Sequence, residues 1–223
     1  MAGIWTEETM PIPADRGAPT PAGAVGSVAD LEAVYGTPAR PSIVKETSRL
    51  TPGYRQMIEA SPFCTLATTG PDGLDVSPRG DQPGFVSVLD DSTLLLPDRR
   101  GNNRIDSLRN VLHDPCVALL FLIPGLNETL RVNGRATISI DADLCGRFNM
   151  DGHLPRSVLW ISIDSVYFQC ARALLRSRLW HGNGNRPEGL PTPGELIAQA
   201  SNGAYGGPDY DAQLAERLPA SLY

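Results

Sequence analysis

Residues 77–104 read SPRGDQPGFVSVLDDSTLLLPDRRGNNR, and both the fold and the chemistry turn on how this stretch is understood. Two apolar runs, Gly84–Leu89 and Thr93–Leu96, are joined by Asp90-Asp91-Ser92. Val86, Val88, Leu94 and Leu96 suit a pleated, half-buried surface, and the tripeptide between the runs is turn chemistry, so the spacing predicts a hairpin. Pro97–Arg104 then packs three arginines and two asparagines into eight residues. Beyond it Ile105, Leu108, Val111 and Leu112 recur at helical spacing. A strand therefore delivers the chain to a helix N-terminus loaded with guanidinium groups. Oriented N–H groups and fixed positive charge together are what a bound phosphate requires.

That knot of arginine runs against its background, because the chain of 223 residues carries a formal net charge of -6. It is too small for a nucleic-acid face, which shows as a broad basic patch with a high isoelectric point. A single phosphorylated small molecule fits it better. The 22 glycines and 20 prolines concentrate before residue 53 and after Gly182. The expected organisation is therefore an N-terminal extension with short helices (1–50), a globular domain (51–180) and a C-terminal extension (181–223). No apolar run approaches the roughly 18 residues of a membrane span, and the first residues, MAGIWTEETMPIPADRG, lack the basic start and apolar core of a signal peptide. Cys64, Cys116, Cys145 and Cys170 are scattered without metal-like spacing. The expected setting is cytoplasmic and reducing, with no membrane, nucleic-acid or metal partner.

Along the chain, residues 1–26 read as a mobile arm. Short helices are expected over Asp30–Tyr35, near Ser42, and after Thr51, which is placed to cap a helix opening on Pro52. Phe63–Thr69 has strand composition, Gly70-Pro71-Asp72-Gly73 turns it, and Leu74–Ser77 returns. After the stretch quoted above comes a helix over Ile105–Leu112, stopped by Asp114-Pro115. Cys116–Ile123 is a wholly apolar strand, and Thr129–Ile138 alternates, with Gly134 marking a bulge or a close approach. A helix over Asp141–Phe148 separates it from the last strands, Val158–Ile163 and Val166–Phe168. Weak helices follow at Ala171–Ser177, Gly194–Ala200 and Ala212–Leu218. Hairpin-linked strands without a βαβ rhythm exclude a doubly wound sheet and favour a mainly β fold with short helices, a small antiparallel barrel.

The order hairpin, SPRGD-x-PGF, LLLPDRRGNNR-x-x-SL-x-N, apolar strand, PG-x-x-ETLRVNGRA and a final strand running into RSRLW resembles the pyridoxamine 5'-phosphate oxidase-like flavoproteins over Thr51–Trp180. The resemblance implies an FMN-binding split barrel of six antiparallel strands, Greek-key-like. It also implies a homodimer with FMN at the subunit interface and a small-molecule substrate. Carried over residue by residue, Ser77, Pro78 and Arg79 would face the isoalloxazine ring. Leu96, Pro97 and Asp98 would line it from the neighbouring strand, and Arg99, Asn102, Asn103 and Arg104 would hold the ribityl chain and phosphate. Glu128, Thr129 and Arg131 would approach the cofactor, with Gly134 allowing a close backbone approach. Gln169, Arg172, Arg176, Ser177 and Trp180 would reach the pocket of the opposite subunit, Trp180 as an aromatic wall.

True pyridoxamine phosphate oxidases carry a basic C-terminal tail for the substrate phosphate. After Trp180 this chain has only Arg186, Arg217 and His181, so the resemblance is to another, bacterial branch. The activity it implies is an FMN-dependent oxidoreductase passing a hydride between a nicotinamide or small organic donor and an acceptor. Alternatives are a non-catalytic flavin, haem or F420 carrier, with His181 or His153 as a haem ligand, and an interaction protein whose barrel is a scaffold. No catalytic residue is assigned. Asp98 and Glu128 are candidate acid/base groups, for which salt bridges to nearby arginines are the simpler role.

Overall fold

The computed structural model describes residues 22–182, 187–219 and 222. Most of the expected mobile arm, residues 1–21, and Arg186 lie outside them. The chain divides into two compact units, Met1–Lys45 and Glu46–Tyr223. In the first, α1 (Val28–Tyr35) and α2 (Arg40–Val44) bury no side chain. Ser27 caps α1 by accepting from the Asp30 N–H at 3.2 Å.

The second unit opens with α3 (Pro52–Ala60), capped by Thr51 as its sequence requires. β1 (Phe63–Gly70), β2 (Gly73–Gly80), β3 (Ser87–Val88) and β4 (Thr93–Pro97) follow, then α4 (Asp106–His113), β5 (Cys116–Leu122) and β6 (Thr129–Ser139). α5 (Ala142–Gly146), β7 (Val158–Gln169), α6 (Arg172–Ser177), α7 (Pro193–Ala200) and α8 (Pro208–Arg217) complete it. The strands form one antiparallel sheet in the order β2-β1-β5-β6-β7-β4-β3. The fold is the expected mainly β split barrel with short helices.

Two local expectations are corrected, and the one for Gly134 holds. The sheet has seven strands rather than six. The extra one, β3, is a two-residue remnant of the Gly84–Leu89 run, because Pro83 and Gly84 (φ 84°) turn the chain there and Phe85 N–H bonds back to Gln82. The two expected last strands are one. β7 runs on through a bulge at Asp164, which is skipped between Ile163 (opposite Gly134) and Ser165 (opposite Asn133) and lies outward beside Arg135 at 3.5 Å. Gly134 sits at a register shift between β6 and β7, and a Cβ there would run into the Ser162 carbonyl oxygen. The close approach is thus between strands.

β4 shows why an unbroken apolar run was needed. Leu94 and Leu96 face the main core with Leu66, Phe121, Leu130 and Ile161. Leu95 faces a second cluster with Cys145, Phe148 and Val158 under α5. A strand covered on both faces reads as a nearly continuous apolar run, here Leu94–Leu96. β5 differs: Val117, Leu119 and Phe121 are buried, while Ala118, Leu120 and Leu122 on its other face are only half-buried. α4 is fixed to β1 by Asn110 Nδ2 donating to Thr68 Oγ1 at 3.0 Å, and by Val111 in the core.

Candidate functional site

β4 emerges from the core at Pro97, and the next residues cross the mouth of a cleft of about 1050 Å³. One wall is the end of β2, where Ser77, Pro78, Arg79 and Gly80 face Phe85. The opposite wall is Pro97, Asp98 and the loop Arg99–Arg104, running into the first turn of α4. Ile138 and Ile140 from the end of β6, and His153, Leu154, Arg156 and Ser157 from the segment before β7, close the far side.

The loop is shaped by backbone that few residues adopt. Asn103 (φ 60°) and Ile105 (φ 54°) are both left-handed. For β-branched Ile105 that conformation is costly, and such strain persists where the surroundings impose it. Ile105 is also the N-cap of α4, and no side chain caps the helix. Its first N–H groups are left open toward the cleft, with the partial positive charge of a helix start. Ser107 in that turn is buried, and its Oγ donates to Ser77 Oγ at 3.3 Å, tying α4 to the β2 wall.

The arginines differ sharply. Arg99 Nε donates to Asp81 Oδ2 at 2.7 Å and its Nη1 to the Phe148 carbonyl at 2.6 Å; the two side chains of the ion pair are only 16% and 3% exposed. Arg104 is exposed, its Nε on Asp106 Oδ2 at 2.8 Å, while its backbone N–H bonds to Asn102 Oδ1. Arg156 donates from Nη1 to Asn103 Oδ1 at 3.1 Å. Arg79 donates to the neighbouring Pro78 carbonyl. Among the described residues Arg79, Arg100 and Arg156 have no carboxylate within ion-pair distance. Burial pushes the Asp98 carboxyl above the usual carboxylate range, against the opposing pull of Arg79 and Arg156. Burial also pushes the Cys64 thiol, behind β2, up to about 12.

The cleft thus gathers Ser77, Pro78, Arg79, Pro97, Asp98, Arg99, Asn102, Asn103 and Arg104. Leu96 points into the main core instead. Glu128, Thr129, Arg131, Gln169 and Trp180 lie at the opposite end of the β6–β7 pair, where Thr129 pairs with Gln169. Thr129 and the cleft residue Ile138 are nine positions apart on β6, about 30 Å at roughly 3.3 Å per residue. There Arg131 Nη1 donates to Tyr167 Oη at 2.8 Å and stacks on its ring at 5.4 Å. Trp180 Nε1 donates to the Leu126 carbonyl at 2.8 Å. Arg172, Arg176 and Ser177 follow on exposed α6. Sequence reasoning missed Phe85, Ser107, Ile138 and Arg156, counted Arg100 in the arginine knot without giving it a role, and named His153 only as a possible haem ligand. Of the missed residues, Ser107 lies at the helix start beside the knot and could have been read from it.

The model for pyridoxamine 5'-phosphate oxidase matches residues 50–170, just over half of the chain. The chain belongs to the pyridoxamine 5'-phosphate oxidase-like family. Similar solved structures include HupZ of Group A Streptococcus, 14% identical with a TM-score of 0.45 over 53% of this chain and 93% of that one. A putative pyridoxamine 5'-phosphate oxidase of Lactobacillus delbrueckii is 23% identical, with a TM-score of 0.44 over 54% and 95%. An F420 reductase is 19% identical, with a TM-score of 0.40 over 52% and 98%. No curated protein matches the chain. Among the described residues, no helix is long and apolar enough to cross a membrane and no group of three or more potential metal ligands comes together.

Proposed function

We propose that this family member is an FMN-dependent oxidoreductase, working as a homodimer on a small-molecule substrate. One observation carries the reading. The open N-terminus of α4, Arg100, Arg104 and the Asn102–Asn103 turn converge on a cleft that is also lined by the apolar side chains of Pro78, Phe85 and Pro97. The first set suits a phosphate and the second a flat aromatic ring. The residues therefore fit a phosphorylated flavin. Its phosphate would lie at the loop and its ring between Ser77–Arg79 and Pro97–Asp98.

Bound FMN would supply the hydride chemistry. The chain's own residues hold the phosphate, orient the ring and shield it from water, and no side chain has to act as a nucleophile. Two features support a dimer. The half-buried apolar face of β5 is left incompletely covered by one chain. Glu128, Arg131 and Trp180 lie too far along the sheet to serve the cleft of their own subunit. In a dimer they would serve the partner's.

The test is the absorption spectrum of the purified protein, followed by anaerobic mixing with NADH and with NADPH. Flavin bands that bleach with one nucleotide are the expected result and identify the donor. A flavin that stays oxidised with both points to a carrier or to an organic donor. A colourless protein that takes up no added FMN overturns the reading.

A further inference from the structure

Of the two arginines nearest the start of the loop, the first is already spent. Arg99 is held by a buried carboxylate and a backbone carbonyl on two different elements, the Asp81 connection after β2 and Phe148 beyond α5. A guanidinium in that position braces the loop from behind, and releasing it toward a ligand would cost the buried Asp81 carboxylate this ion pair.

Arg156 is placed in the opposite way. Its backbone is anchored on both sides, by buried Pro155 and by buried Ser157, whose carbonyl accepts the Asp98 N–H at 2.9 Å. Its side chain is exposed on the cleft, reaches back to Asn103 Oδ1, and has no carboxylate within ion-pair distance among the described residues. The nearest carboxylate to act on it is Asp98 on the adjoining strand end, and Arg79, Arg100, Arg104, Asp106 and His153 are the other charged or titratable residues of the cleft besides the tied Arg99. A fixed backbone, an exposed guanidinium without an ion-pair partner among the described residues and a contact to the loop's turn residue describe a ligand for an anion seated on that loop.

We infer that Arg156, from the segment before β7, is the second guanidinium of the phosphate seat beside Arg104, and that Arg99 is a positioning residue holding the loop in shape. The inference rests on the FMN reading above and adds what makes the site choose a phosphorylated flavin over its dephosphorylated form.

The experiment compares FMN with riboflavin. The whole chain, freed of flavin, is titrated with each and the quenching of flavin fluorescence gives two dissociation constants for wild type, Arg156→Gln and Arg99→Gln. Loss of a hydrogen bond to a charged group, roughly 1.5–3 kcal/mol, corresponds to a fall of about 10- to 100-fold. That fall is expected for FMN in Arg156→Gln, with riboflavin affinity within about twofold of wild type. Arg156→Lys, which keeps the charge, recovers part of it. Arg99→Gln is expected to weaken both flavins together and to lower the melting temperature. Equal losses for the two flavins in Arg156→Gln, or unchanged FMN affinity, overturn the assignment while leaving FMN binding intact. A wild type that binds neither flavin overturns the FMN reading and this inference with it.

Discussion

The two ends of the β6–β7 pair contrast in how they treat their cations. At the far end Arg131 and Trp180 find partners within the chain: Arg131 donates to Tyr167 and stacks on its ring, and Trp180 hydrogen-bonds the Leu126 carbonyl. At the cleft Arg79, Arg100 and Arg156 line the opening without a carboxylate partner among the described residues, although the chain as a whole is acidic. Folding has no reason to collect like charges around a cavity, since they repel and contribute little at a surface. Concentrated positive charge beside an open helix start suits an anion from outside the chain, as the proposed function requires. The far end needs no such guest to be complete. Under the proposed function it would meet a cofactor only where a second copy brings it to another cleft.

The largest effect expected from disturbing this arrangement is at the brace. Asp81→Ala leaves the Arg99 guanidinium without its carboxylate, and breaking a largely buried pair costs about 3 kcal/mol. Urea denaturation is expected to show that loss together with weaker binding of any flavin. A change under about 0.5 kcal/mol would mean that the loop is held by something other than Arg99. Next in size, Arg104→Ala is expected to lower FMN affinity about tenfold, the worth of one hydrogen bond to a charged group, at every protein concentration. Arg131→Ala is expected to lower it only at concentrations where the protein is dimeric by sedimentation. An equal loss from Arg131→Ala in dilute, monomeric protein would erase the distinction between the two ends.

The smallest effect concerns Asp98. Its carboxyl is raised by burial despite Arg79 and Arg156, so folding favours its protonated form. The contribution to stability is present at low pH and is lost as pH rises through the folded-state value. Asp98→Asn is therefore expected to be slightly more stable than wild type at pH 7 and to lose that advantage below the ordinary carboxylate range. Thermal melts across pH check it. An advantage that grows toward low pH would show that Asp98 is stabilised by the arginines instead.

Much of the framework was legible because local chemistry and tertiary demand agree. Thr51-Pro52 opens α3, Asp141 caps α5 through the Leu144 N–H, and Gly70–Gly73 turns β1 into β2. The arginine knot before α4 was legible for the same reason, as a dense local cluster. What each arginine does was not. Arg99 and Arg104 look equivalent in sequence, and only the positions of Asp81 and Phe148 make the first a brace. Asp98, expected to be paired, makes no ion pair among the described residues, because the nearby carboxylate that meets an arginine is Asp81.

The sequence by itself determined the mainly β class, the hairpin order and the arginine-rich loop that runs into a helix, because turns, caps and two-residue periodicity act over a few neighbours. Only the tertiary structure decided which residues share the cleft. Leu96 was drawn into the core by the alternation of a strand covered on both faces. Glu128, Arg131 and Trp180 were carried to the far end by the length of β6 and β7. Arg156 was brought to Asn103 across 53 residues of chain. Such meetings depend on strand register and sheet order, which pair positions far apart in the chain.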